Sequence, residues 1–434
     1  MPNLKFKCAK APSTTTSGNC AKRGAENRRT IPSPFRNDFN GRVAIGMAAN
    51  ALTGTHPVCD VPNHMSNADF EPARLTVRLG ALAANYRTFK RLSGNASVAG
   101  VVKADGYGCG ALEAAKALRA AGCDTYFVAR LSEGIAVRKV IPDSRIFVLD
   151  GVQQQTIPAL VSHKLTPVLN SLDEIALWSD AAQNARSEYD AAIHFDTGMN
   201  RLGLPHEELN TLANESNSRL GGIRIALLMS HLACADDSES DMNREQFARF
   251  KSALARLPSA PASLASSGGV LLGKDYCFDM VRPGIGLYGG NPQVSGKPNP
   301  FETVALMTGK ILQLRRVDSG GSVGYGATFR IGRDSTLATV ALGYADGLMR
   351  ALSNNGFGAI AGHRAPIAGR VSMDLVTLDV TSVPASALHV GADVEFFGDT
   401  ISLEDAAATA NTASYELLTS LGPRIPRRYV EAAR

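Results

Sequence analysis

No C-x-x-C pair occurs among the seven cysteines of this 434-residue chain: Cys8, Cys20, Cys59, Cys109, Cys123, Cys234 and Cys277. An odd number without paired spacing argues for free thiols in a reducing compartment rather than a disulfide framework, so a cytoplasmic location is expected. None of the eight histidines stands in an H-x-x-x-H or H-E-x-x-H spacing, and no metal site is signalled. Apolar runs fall well short of the ~20 residues of a membrane span. There is no P-loop, and Gly106-x-Gly108-x-Gly110 is not the dinucleotide G-x-G-x-x-G, which disfavours nucleotide and hydride chemistry. The formal charge of +5 is concentrated at the start, where residues 1–64 carry nine Lys and Arg against three Asp and Glu; the remainder nets −1. With no basic cluster interleaved with aromatics in that remainder, a nucleic-acid partner is not expected.

What is present is ample core material. Apolar residues make up 44% and charged residues 20% of the chain, as in an ordinary globular protein of several domains. Residues 1–71, rich in Ser, Thr, Asn, Pro and basic side chains, are expected to form a disordered or dispensable extension. Their acid-poor character also fits an organelle transit sequence, and a start at Met47 or Met65 is the plainer alternative. From Arg74 the pattern tightens. Leu75–Leu79 alternates like a half-buried strand, and a helical pattern follows over 81–92. Eight strand candidates then alternate with helical patterns, at Ser97–Lys103, Asp124–Val128, Arg145–Leu149, Leu165–Leu169, Asp190–Asp196, Ile223–His231, Ala262–Ser266 and Met280–Tyr288. Eight such units predict an α/β fold, a (β/α)8 TIM-like barrel over residues 72–296, with an open doubly wound sheet as the alternative. Turn residues crowd 289–300. Beyond them, strand patterns at 304–314, 336–342, 375–380 and 393–397 predict a mainly β C-terminal domain over 297–434.

In such a barrel the reacting groups stand at the C-terminal ends of the strands. The polar residues found there are Lys103, Asp196 with Arg201 just beyond, His231, Ser266 and Ser267, and Arg282 followed by Pro283-Gly284-Ile285-Gly286. Burial disfavours the charge on a lysine, and the neutral amine is the form that attacks a carbonyl. Backbone N–H groups after Ser267 and around Gly284-Ile285 suit a phosphate. An amine, an anion cradle and two arginines at one mouth point to pyridoxal phosphate as cofactor. Taken singly, each residue has a structural account as well: Arg201 could pair with Asp196, and His231 could be a satisfied core histidine.

Val101-Val-Lys-Ala-Asp-Gly-Tyr-Gly108 resembles the lysine signature of the alanine racemases. Further stretches are similar to the same family in the same order: 196–203, 229–236, 281–289, 324–329, 343–347 and 369–374. The resemblance covers roughly residues 72–434 and implies a pyridoxal-phosphate-dependent isomerase that interconverts L- and D-alanine. It implies that Lys103 holds the cofactor and serves one face of Cα. Tyr325, contributed by the second subunit of a homodimer, would serve the other. It further assigns Arg282 to the ring nitrogen, with His231 and Arg282 favouring the phenolate of Tyr325, Arg201 to the cofactor's phenolic oxygen and the substrate carboxylate, and the backbone N–H of Met373 to that carboxylate. Tyr107, Ser267, Gly284, Ile285 and Tyr415 fall to the phosphate, and Tyr344 with Tyr415 would narrow substrate access. The family's usual role is D-alanine supply for cell-wall peptidoglycan. A catabolic racemase or a broad-specificity amino-acid racemase is the alternative on the same scaffold. A barrel-type decarboxylase is disfavoured because Arg282 stands where an acidic partner for the ring nitrogen is expected, and a non-catalytic carrier would have little use for Tyr325. Two departures stand out. His194 occupies the position where the family often has a carbamylated lysine, so an anion or another residue must steady Arg201. Ser266-Ser267 replaces the common Asn-Ser.

Overall fold

The structure, a computed structural model, describes residues 71–293 and 297–431. The expectation of disorder over residues 1–70 lies outside them. Seven parallel strands run in chain order: Gly100–Val101, Thr125–Val128, Arg145–Val148, Thr166–Leu169, Tyr189–His194, Ile223–Met229 and Ala262–Ser263. Their side chains are almost wholly buried, as expected of parallel strands covered by helices on one side and packed against each other on the other. The eighth strand, Met280–Val281, pairs in parallel with Ser97–Val98, immediately ahead of the first. Arg282 N–H donates to Ala265 O at 2.9 Å and Asp279 N–H to Ala262 O at 3.0 Å, which joins the eighth strand to the seventh. The sheet therefore closes as a barrel, and the open-sheet alternative falls.

Two of the expected elements differ. The strand foreseen at Met280–Tyr288 stops at Val281; Pro283 lacks an N–H, and Ile285–Tyr288 winds instead into a 3-10 turn. The strand at the start of the body, Ala73–Arg78, does not belong to the barrel, although the reading above placed 72–296 there. It pairs antiparallel with Ala305–Val317 and parallel with Arg427–Val430. Its alternation buries Ala73, Leu75 and Val77 in the second domain's core. The alternation was correctly legible, but period-2 patterning does not say which sheet a strand joins.

The long strand Ala305–Val317 is the spine of that second domain. It also pairs with Asp393–Phe397 and Ser335–Val340, and the latter pairs with Val376–Asp379. A hairpin of Phe357–Ile360 and His363–Pro366, not foreseen in the glycine-rich sequence around it, extends the sheet. Two short helices, Leu403–Thr409 and Ser414–Thr419, follow the strand Asp393–Phe397. Buried Asn85, on the helix Leu79–Leu92, laces the barrel to the linker: its Nδ2 donates to Leu287 O and Glu302 O, and its Oδ1 accepts from Glu302 N–H.

Candidate active site

The first barrel strand ends at Val101, and Lys103 opens a short turn of unusual hand. Ala104, Asp105, Gly106, Tyr107 and Gly108 all have positive φ, between 52° and 77°. For the three that are not glycine this costs about 1–2 kcal/mol each. Three contacts hold the turn. The Glu133 carboxylate accepts from Ala104 N–H at 2.7 Å while also accepting from Ala129 and Arg130 N–H. The Asp105 carboxylate accepts from Ala111 N–H at 2.9 Å, and Arg427 of the last strand donates twice to Gly108 O. Glu133 and Arg427 were missed in the sequence. A glutamate in the first turn of a helix that follows a strand end was the signal for the first; nothing local marks the second.

The turn delivers Lys103 into a cavity of about 520 Å³ at the C-terminal mouth of the barrel. Burial, followed by the Arg201 guanidinium, holds its amine below the usual lysine range. Eleven of the residues singled out by the sequence line this one cavity: Lys103, Tyr107, His194, Arg201, His231, Ser266, Ser267, Arg282, Gly284, Ile285 and Tyr415.

At one end lies a cradle for an anion. Ser267 Oγ, at the first turn of a short helix, accepts from Gly284 N–H at 2.9 Å and Gly286 N–H at 3.2 Å. The Tyr107 hydroxyl lies so close to Gly284 that a Cβ there would come within 2.1 Å of it. Tyr107 is fixed by stacking on Tyr288, with centroids 4.8 Å apart, and faces Tyr415. Burial raises the pKa of both phenols, that of Tyr415 to about 12, so each keeps its proton and remains a donor. Two phenols, a serine and a glycine-lined backbone turn fit a phosphate.

At the other end stands Arg282, buried, its pKa lowered to about 10 by desolvation and faced by no carboxylate among its hydrogen-bond partners. It donates to Ser263 Oγ at 2.5 Å and to Ser230 O at 2.6 Å. A weaker contact joins its Nη2 to His231 Nδ1 at 3.4 Å. Since a guanidinium only donates, Nδ1 of His231 accepts and Nε2 carries the proton. Burial and then Arg282 push the His231 pKa well below the usual imidazole value, so the ring is neutral. Gln246, wholly buried, holds this corner by donating to His231 O and Thr197 Oγ1 and accepting from Ala233 N–H.

Arg201 does not pair with Asp196. The Asp196 carboxylate is taken up by the N–H groups of Gly198, Met199 and Asn200. Tyr325 and Met373 are absent from the cavity: both lie exposed on the second domain, at 73% and 52%. Tyr344 is exposed beside Met373, with which its loop is laced through Tyr344 N–H to Ser372 O and Ala345 N–H to Met373 O. Thus one chain gathers the amine, the arginines and the anion cradle, and leaves the phenol outside. Among the described residues no group of His, Cys, Asp and Glu is placed to hold a metal.

Residues 77–292 match the family model "Alanine racemase, N-terminal domain" and residues 304–429 match "Alanine racemase, C-terminal domain". The chain belongs to the alanine racemase family. A relative from Rhodospirillum rubrum named alanine racemase is 47% identical over 367 residues, 84% of this chain and 98% of that protein. Two relatives from Agrobacterium fabrum, named biosynthetic and catabolic alanine racemase, are 42% and 44% identical over 83% and 82% of this chain, covering 94% and 92% of their own lengths. The crystal structure of alanine racemase from Bartonella henselae with covalently bound pyridoxal phosphate superposes with a TM-score of 0.79 at 39% identity, covering 83% of this chain and 99% of that one. The family is pyridoxal-phosphate-dependent, and the lysine, cradle and arginine found here fit that cofactor.

Proposed function

We propose that the chain interconverts L- and D-alanine in the cytoplasm and supplies D-alanine for cell-wall peptidoglycan, working as a homodimer with shared active sites. The observation that carries this reading is the division of the site. Lys103 lies in the cavity with Arg282, Arg201 and the phosphate cradle, whereas Tyr325 and Met373 are exposed on a different domain of the same chain. A reaction that removes a proton from one face of Cα and returns one to the other needs two acid/base groups, and a second copy can bring the missing one.

Bound pyridoxal phosphate supplies an aldehyde for covalent attachment and a ring that takes up the electron pair left when Cα loses its proton. Tyr107, Ser267, Gly284, Ile285 and Tyr415 would hold its phosphate. Arg282 would hold the ring nitrogen and, keeping its own proton, would leave that nitrogen unprotonated, which would moderate the electron sink and limit side reactions. Arg201 orients the substrate carboxylate, together with the backbone N–H of Met373 of the partner subunit. The lowered proton affinity of Lys103 suits it to take and return a proton at Nζ on one face. Tyr325 of the partner subunit does the same at Oη on the other, with His231 and Arg282 favouring its deprotonated form. Tyr415 and Tyr344 of the partner subunit narrow the access route, which favours a methyl side chain over larger ones and so alanine over a broad substrate range.

Borohydride reduction of the yellow holoenzyme, followed by peptide mass mapping, should place the cofactor on Lys103. Assays in both directions should show turnover of D-alanine far above that of larger D-amino acids, and the gene should let a D-alanine auxotroph grow unsupplemented. Cofactor trapped on another lysine would remove Lys103 from the scheme. Equal turnover of bulky amino acids would replace the alanine-specific reading with the broad one.

A further inference from the structure

His194 ends the fifth barrel strand with its side chain in the cavity wall, 8% exposed. Its Nδ1 lies 2.8 Å from Asn170 Oδ1, at the end of the fourth strand. The orientation of that amide is decided by its surroundings. Asn170 Nδ2 faces three acceptors, Val168 O at 2.8 Å, Leu149 O at 3.4 Å and Glu174 Oε2 at 3.4 Å, so that end must be the NH2. The other end is then the carbonyl oxygen, which can only accept, and His194 must carry its proton on Nδ1. Nε2 is left as a bare lone pair with no hydrogen-bond partner among the described residues.

The loop that carries Arg201 is folded onto this imidazole. Leu204 N–H donates to His194 O and Asp196 N–H to Leu204 O, both at 2.9 Å. Gly203, at φ +103°, brings the backbone so close that a Cβ there would lie 3.2 Å from His194 Cδ2. Arg201, two residues earlier, lines the same cavity, and no ion pair or hydrogen bond engages its guanidinium among the described residues. An arginine rich in donors and an imidazole with one free acceptor thus share one wall.

We propose that His194 is a positioning residue for Arg201: locked by Asn170 as the Nδ1–H tautomer, it accepts at Nε2 a hydrogen bond from the guanidinium and holds it toward the substrate carboxylate. This rests on the reading of Arg201 as the carboxylate-binding residue. Burial, Arg282 and Arg201 together lower the imidazole's pKa to about 4, so the ring is neutral over the working range and adds no repulsion to the guanidinium. A bare lone pair at Nε2 also repels an anion placed beside it. Arg201 therefore needs no bound chloride to steady it, and the two ways of holding this arginine become separable by experiment.

The test begins with histidine-15N-labelled holoenzyme, in which H194F serves to assign the signal. At pH 7 the Nδ1 of His194 should show the shift of a protonated ring nitrogen and Nε2 that of an unprotonated one. The opposite tautomer, or an imidazolium, overturns the proposal without recourse to activity. In kinetics H194F should leave the cofactor spectrum unchanged and raise KM for D-alanine about tenfold with a smaller effect on kcat, the size expected from one lost hydrogen bond to a charged group. H194Q, whose amide can accept from Arg201, should recover most of the loss. KM should not change when chloride is replaced by a larger anion; a KM that rises on its removal overturns the proposal in favour of an anion. If H194F leaves KM unchanged while R201M raises it, the His194 role falls and the Arg201 reading stands. If R201M also leaves KM unchanged, both fall.

Discussion

Gly284→Ala is the substitution whose effect the geometry specifies most closely. Gly284 has φ −121°, so the backbone is not in a left-handed conformation and the cost is one of space. The new methyl would sit 2.1 Å from the Tyr107 hydroxyl and 2.8 Å from its Cζ, more than 1 Å inside contact distance. Tyr107 cannot swing away freely, because it is 7% exposed and stacked on Tyr288, itself buried. Either the phenol leaves the cradle or the Gly284–Ile285 backbone does. Overpacking of this kind costs about 1–3 kcal/mol of stability. Displacing one donor from a phosphate costs about 1.5–3 kcal/mol of binding, or roughly 10- to 100-fold in cofactor affinity. The assay is absorbance titration of the apoprotein with pyridoxal phosphate, alongside thermal melts. Combining G284A with Y107F removes the atom nearest the methyl, so the double variant should regain stability over G284A while still binding the cofactor weakly. Wild-type affinity and melting temperature in G284A would refute the argument that this glycine is kept for the cradle.

Tyr325→Phe should leave cofactor affinity and spectrum unchanged while abolishing turnover, since the phenol lies outside its own chain's cavity; normal activity in both directions would remove it from the mechanism. Mixing inactive K103A and Y325F proteins under exchanging conditions should restore about a quarter of wild-type activity, because half of random dimers are mixed and each then has one intact site. Absence of rescue in demonstrably mixed dimers would count against shared sites. A lysine whose pKa falls on folding loses stability as pH drops from its unfolded value toward its folded one. Apoprotein carrying K103M should therefore melt higher than wild-type apoprotein at pH 7, with the gap closing as pH approaches 10.5. His194 behaves alike between pH 6.5 and about 4, so H194Q should blunt acid destabilisation of the holoenzyme in that window. Equal pH profiles would contradict both assignments.

The parts of the site that were legible in the sequence are those where chain order and space coincide. Lys103, Ser267 and Arg282 follow barrel strands, and the end of a barrel strand is always at the mouth. Asn170 obeys the same rule and could have been chosen by it; the reading passed over it because an amide at a strand end suggests no chemistry until its neighbours are known. The division of Tyr325 from Lys103 was available only through family resemblance, since nothing in the spacing of 222 residues says on which copy a side chain does its work. The tautomer of His194 was beyond reach, because it depends on two carbonyls and a carboxylate that surround the far end of a different side chain.

The strand Ala73–Arg78 has a consequence for how the molecule is made. Its partners are Ala305–Val317 and Arg427–Val430, so on the ribosome it emerges roughly 230 residues before the nearer of them and waits, apolar edge exposed, while the whole barrel is synthesised. The barrel closes as a loop inserted into the second domain's sheet. A nascent chain halted after the barrel strand Met280–Val281 but before the last strand would carry a formed barrel and an unmated β edge, the combination most prone to pair with a neighbour instead.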